Sequence, residues 1–314
     1  MLMPSIIAEL LPVFALIVLG AAFGKTDFLG KEAMAGLRKL VSSVALPAVL
    51  FGAFARVGVD ASLFSLAIVV FASCAVLGLV GAAFARLAGL PRPSTSFLFQ
   101  GFEAGMLGYA LFASLCGAGH LNSFATADLG QVVFVFTVLM AQLLAANGKA
   151  EPRFLLRSMA TSPAMIAIVA GLIASVFFPG AQGAPWGEGG LFAPFLATVA
   201  SLTTPLVCLV VGWGLKDFRL AGAGKPAVAV AGRLLASFLL GSAVAFILVP
   251  ALGYGRIQSV AVLALFLLPP PFVIPVYRKT GEDASYVSAV LSLHTLASLI
   301  AFVVLAALFA GAVP

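Results

Sequence analysis

The chain has 314 residues, 62% hydrophobic and only 9% charged, with a net charge of +6 and a mean hydropathy of +1.18. Soluble globular chains carry about a quarter charged residues, so this composition excludes a water-soluble body and asks for a bilayer. The basic balance does not point to nucleic acid, because the Lys and Arg residues are spread over short connections and act as topology signals.

Ten apolar stretches long enough to span a hydrocarbon core follow one another at roughly 4–24, 34–55, 62–86, 93–118, 126–147, 160–179, 191–215, 227–250, 257–277 and 284–311. The first is not a secretory signal, since MLMPSIIAELL has no basic start and carries Glu9. It contains LPVFALIVLG and ends in Gly20-Ala-Ala-Phe-Gly24, a small-xxx-small spacing suited to close helix contact. The second carries VALPAVLF around Pro47, and the fourth, after PRPSTSF, carries GFEAGMLGYALF. The segment 148–159, GKAEPRFLLRS and its flank, reads as a cytoplasmic linker with a short interfacial helix. The sixth stretch has SPAMIAIVAG, the seventh TTPLVCLVVGWG, the ninth LPPPFVIPVY, and the tenth YVSAVLSLHTLASL.

Fifteen of the seventeen basic residues fall in odd-numbered loops, Arg38, Arg233, Arg278 and Lys279 among them, and only Arg56 and Arg256 in even ones. The positive-inside rule then puts both termini outside a multi-pass protein of the cell membrane. Cys74, Cys116 and Cys208 lie in or beside spans without metal-ligand spacing and read as small apolar fillers.

The two halves echo each other. Pro12 and Gly20 are spaced like Pro163 and Gly171, and Pro47 has its counterpart in Pro205. Five spans per half is an odd number, so the second half enters from the opposite side. The expectation is an all-α inverted 5+5 repeat, with residues 1–147 and 160–314 as halves. The fourth span of each half is then informative. Pro269, Pro270 and Pro271 cannot sit in a continuous helix, and Gly101, Gly105 and Gly108 make the other easy to unwind. Matching interrupted helices point to a transporter's binding site.

On LLPVFALIVLG, VALPAVLF, GMLGYALF and the prolines followed by YVSAVLSLHTLASL, the chain resembles the auxin efflux carrier family. That family includes plant auxin exporters and bacterial permeases proposed for malate and malonate. The resemblance runs over nearly the whole chain and implies ten helices in inverted halves, with broken fourth and ninth helices crossing near mid-membrane. Where many members read Asn-x-Gly-x-x-Gly-x-Pro, this chain has Glu103, Gly105, Gly108 and Ala110. Without that proline, the family argument for a sharp break in the fourth helix is weaker.

Glu103 reads as the only acid well inside a span. It is a neutral group bonded to Gln100 or a free carbonyl, a proton carrier, or a ligand for a cationic substrate or Na⁺. His294 is a hydrogen-bonded packing histidine or a proton relay. The expected substrate site takes in Gln100, Glu103, Gly105, Gly108, Tyr109, Pro270, Pro271 and Pro275, with Glu103 and His294 as coupling residues. An intramembrane enzyme would need paired catalytic groups, and His120 and His294 are far apart. No enzyme, metal or cofactor is therefore expected. A channel would need a ring of repeated ligands, and an ATP-driven pump would need a sequence such as GxxxxGK[ST]. The expectation is a secondary carrier of a small organic anion, proton-coupled through Glu103, with the bilayer and small-molecule substrate as partners and a homodimer allowed. The alternatives are a sodium symporter of the bile-acid type and a carrier of cationic substrate.

Overall fold

The computed structural model describes residues 2–26, 28–147, 152–214, 224–277 and 282–309. Lys149, Lys216, Arg219, Arg278 and Lys279 lie outside the described residues. Among those described the chain is helical, without a strand.

Helix α1 (Leu2–Lys25) is followed by α2 (Lys31–Phe54) and α3 (Ala61–Leu87). The fourth stretch comes in two pieces, α4 (Ser94–Phe99) and α5 (Tyr109–Cys116), the second entered through a wide helical turn, Ala104–Gly108. Next come α6 (Ala118–Ala145), α7 (Pro152–Ala160), α8 (Pro163–Phe177), α9 (Ala193–Gly214) and α10 (Gly224–Ala251). The ninth stretch is likewise divided, into α11 (Arg256–Phe266) and α12 (Ile274–Tyr277), and α13 (Glu282–Phe309) closes the described chain. Helices α2, α3, α6, α9, α10 and α13 are long and apolar enough to cross a membrane, and Leu11–Lys25, α8 and α11 are shorter apolar helices.

Local sequence explains the ends. Asp60 caps α3 by accepting from Leu63 N at 2.9 Å, which satisfies one of the free first-turn donors. Ser162 does the same for Met165 at the start of α8, with Pro163 at the first helical position, where its missing N–H costs nothing. Within α2, the turn widens over Val41–Ala45 just before Pro47. A proline cannot donate to the carbonyl four residues back and clashes with it, and a wide turn is one way to absorb that.

Helix packing depends on close approach. A Cβ on Gly212 of α9 would lie 2.8 Å from the Ile17 carbonyl carbon of α1, and one on Gly20 of α1 would lie 2.9 Å from Leu209 Cα of α9. A Cβ on Gly171 of α8 would lie 2.9 Å from Phe54 Cβ of α2. So α1 lies along α9, and α8 lies along α2, backbone against backbone as in membrane helix pairs. Helix α3 packs on α6 and α4, α13 on α10, and α11 on α6. The centre is aromatic: Phe99, Phe102, Phe112, Phe124, Phe134, Phe266 and Phe302 are buried, and the Phe102 and Phe266 rings meet at 4.8 Å. Outward residues such as Ile68, Leu79 and Ile300 are exposed and apolar, a surface made for lipid rather than water.

Candidate functional site

The two interruptions meet. In the fourth stretch the helix stops at Phe99, Gln100 turns extended, and Gly101 takes φ +66°, a conformation that favours glycine. In the ninth it stops at Phe266, and Pro269 to Pro271 supply no backbone donors before α12 begins. Glu103 N donates to Pro269 O at 2.8 Å, joining one break to the other. The fourth helix thus breaks fully without the family's proline, at Gln100–Glu103, ahead of Ala110.

Breaking two helices frees backbone groups of both signs, and at membrane depth each must find a partner. Two side chains divide them. Glu103 takes N–H groups: Oε1 accepts from Met106 N at 3.0 Å, and Oε2 accepts from Phe272 N. Its carboxylate therefore caps the wide turn that leads into α5 and holds the far side of the ninth-span break. Arg233 of α10 takes carbonyls: its guanidinium donates to Leu98 O, to Gly101 O at 2.7 Å, and more weakly to Leu268 O at 3.4 Å. The guanidinium also lies 5.3 Å from the Phe102 ring centroid. Negative charge at helix N-terminal N–H groups and positive charge at C-terminal carbonyls is the favourable pairing of helix dipoles.

Two sequence readings are corrected here. Arg233 is not a loop charge, since it is 0% exposed inside α10. Nor is Glu103 the only buried acid. Asp128 of α6 is 1% exposed, and accepts from Tyr109 Oη at 3.1 Å and from Gln131 Nε2 at 2.8 Å. Both residues lie near the start of the stretches that hydropathy marks, 126–147 and 227–250, where an uncertainty of a few residues in the boundary hides burial.

The remaining candidates divide between the crossing and the packing around it. Gly108 faces Leu268, and Gly101 faces Pro271, across the two breaks. Pro271 and Pro270 are buried, and Gly105 packs beside Leu46 of α2. Gln100 turns away from Glu103 and donates to Gln142 Oε1 of α6 at 2.9 Å, while Tyr109 is engaged with Asp128. His294 is fully buried on α13, but neither ring nitrogen meets a protein hydrogen-bond partner. The packing half of the expectation for His294 fits this position, and the hydrogen-bonded half does not.

A cavity of about 410 Å³ opens beside the crossing, lined by Arg38, Met106, Phe272, Pro275, Ser292 and Thr295, with further apolar residues from α9. Met106 and Phe272 are the two residues whose N–H groups Glu103 holds. The Arg38 guanidinium lies 5.7 Å from the Trp213 ring centroid, close enough for a cation–π contact. Among the described residues no carboxylate lines this cavity, and its charged lining is Arg38. Among the described residues no group of three or more His, Cys, Asp or Glu could hold a metal ion.

Comparison with known proteins finds similarity to membrane transporters. Residues 5–153 match the family described as membrane transport protein. A protein of Methanothermobacter thermautotrophicus named an uncharacterized transporter is 25% identical over 296 residues, covering 92% of this chain and 94% of that protein.

Proposed function

We propose, proceeding from the match of residues 5–153 to the membrane transport protein family, that this chain is a secondary carrier moving a small organic anion by alternating access around the crossed breaks. The observation that carries the reading is the cavity that touches both breaks through Met106 and Phe272 and has Arg38 as its cation. A cavity of this size suits a small ligand with an apolar body, and a guanidinium held on an indole suits a carboxylate.

The coupling ion in this reading is a proton, carried by Glu103. As a carboxylate, Glu103 accepts one N–H on each oxygen, which ties the start of the α5 segment to the ninth-span break. A protonated carboxyl has one poor acceptor oxygen, so protonation releases one of the two ties and lets the two elements move apart. A sodium or cationic-substrate role would ask the same two oxygens to be shared with both N–H groups, and the cavity wall offers a cation where such a ligand would enter. An anion is therefore the better-supported substrate.

The full architecture belongs to this proposal as well: ten spans in two inverted halves of five, in the cell membrane with both termini outside. Its support is the reciprocal packing of α1 on α9 and α8 on α2, with Gly20 and Gly171 at matching positions, and the pair of broken stretches in fourth and ninth place. The test uses purified protein in vesicles with an acid-outside gradient and radiolabelled acetate, malonate and malate. Wild type should accumulate at least one of them, while Glu103→Gln should exchange it without accumulating it. Gradient-driven accumulation by Glu103→Gln at the wild-type level would remove Glu103 as the proton carrier.

A further inference from the structure

The buried charges do not balance. Among the described residues, the buried side chains of fixed or acidic charge are Arg233, Glu103 and Asp128: one cation against two carboxylates. Arg233 and Glu103 form a functional pair, each satisfying the backbone groups of opposite sign at the same crossing. Asp128 is left over. Its hydrogen-bond partners, Tyr109 Oη and Gln131 Nε2, are uncharged donors. Among the described residues no cation pairs directly with Asp128, and Arg233 is engaged with the carbonyls of the break. Cys74 comes from α3, Tyr109 from α5 and Glu103 from the break, all neutral or acidic groups. Arg256, at the start of α11, belongs to the end of that helix where Gln258 Nε2 bonds Ser123 O at 2.9 Å, more than a turn before Asp128. His120, near the start of α6, precedes Asp128 by about two turns. An uncompensated carboxylate at this depth is strongly disfavoured, and taking up a proton removes that cost. A second observation points the same way: Gln131 Oε1, on the side chain that donates to Asp128, is buried without a partner, so this small polar cluster lacks a donor.

We propose that Asp128 is a second exchangeable proton site, adding one proton to each transport cycle beyond that of Glu103. This rests on the carrier reading for its role in the cycle, but the site itself can be tested without any substrate. Its cluster touches the fourth-span break directly, because a Cβ on Gly101 would lie 3.4 Å from Gln131 Oε1 and 3.0 Å from Pro271 Cγ. Proton uptake at Asp128 therefore bears on the same backbone that Arg233 holds through Gly101 O.

The experiment is infrared titration of the full-length protein in lipid nanodiscs, following the carbonyl stretch of protonated carboxyls from acid to alkaline pH. Wild type minus Asp128→Asn should show one titrating carboxyl band, and Tyr109→Phe should move that band's midpoint to more alkaline pH, since the lost hydroxyl favours the ionised form. Asp128→Asn keeps the size of the side chain and an acceptor for Tyr109. Should it fail to fold, Tyr109→Phe alone gives the shift, and a carboxyl titration identical to wild type in Tyr109→Phe overturns the proposal. So does a wild-type spectrum with no band lost in Asp128→Asn. In vesicles, Asp128→Asn should move one proton fewer per anion, and an unchanged stoichiometry overturns the coupling role. A wild type that titrates at Asp128 yet transports nothing would instead overturn the carrier reading and leave the proton site standing.

Discussion

Replacing Arg233 tests whether the crossing is held by opposite charges on its two sets of backbone groups. Arg233→Met keeps much of the side-chain volume in a fully buried position and removes the guanidinium. Leu98 O and Gly101 O then lose their side-chain donor, and Leu268 O loses a longer contact. A buried polar group left unpaired costs about 1–3 kcal/mol, so the two strong bonds together come to roughly 2–6 kcal/mol. Loss of the positive charge set opposite Glu103 at the crossing adds to this in the same direction. Thermal unfolding in detergent, followed by size-exclusion and intrinsic fluorescence, should show a fall in midpoint of several degrees. Arg233→Lys should recover only part of it, because an ammonium is a point donor and cannot span two carbonyls as a planar fork does. A methionine variant as stable as wild type, with transport intact, would refute the idea that Arg233 organises the breaks.

Other expectations follow from the same geometry. Gly212→Ala puts a methyl 2.8 Å from the Ile17 carbonyl carbon, so α1 and α9 must separate. Such overpacking costs about 1–3 kcal/mol, and the melting midpoint should drop, whereas alanine at Gly214, whose Cβ would meet only the Arg38 side chain at 3.7 Å, should be tolerated. Arg38→Ala should weaken anion binding at least tenfold in a thermal-shift or tryptophan-fluorescence titration without lowering the melting point of the empty protein; unchanged affinity would move the anion elsewhere. Cysteine labelling from the two sides of oriented vesicles should find Ser5 outside and Arg86 inside, and the reverse would overturn the proposed topology.

Much of this fold can be read from the chain because its signals are local. Hydropathy marks each helical stretch, and three successive prolines forbid a continuous ninth helix wherever the rest of the chain lies. The ends Asp60 and Ser162 announce themselves by the ordinary preference for capping side chains. Glu103 stood out because its neighbours are glycines and apolar residues. What escaped is what depends on long-range contact. Arg233 looks like a loop charge near the start of an apolar run, and only its bonds to carbonyls of residues 98 and 101 reveal its task. Asp128 sits among Thr126, Asn122 and Ser123, a polar opening indistinguishable from a helix end in water. Its burial depends on Tyr109, nineteen residues earlier, and on α11 packing from the other half of the chain. The break in the fourth span was legible in its glycines but not in its position. Glutamate at 103 and a positive φ at Gly101 set that position, where the family pattern would suggest the proline site.

The most direct test of the account is solute counterflow. Vesicles containing the purified protein are loaded with unlabelled acetate, malonate or malate, diluted into buffer with a trace of the labelled anion, and sampled over time. A carrier alternating around the crossed breaks should give a transient overshoot of label inside, saturable in the external anion. Glu103→Gln should retain that overshoot while failing to accumulate label in an acid-outside gradient. Label that only equilibrates, with a flux rising linearly with concentration and no overshoot for any of the three anions, would contradict the claim.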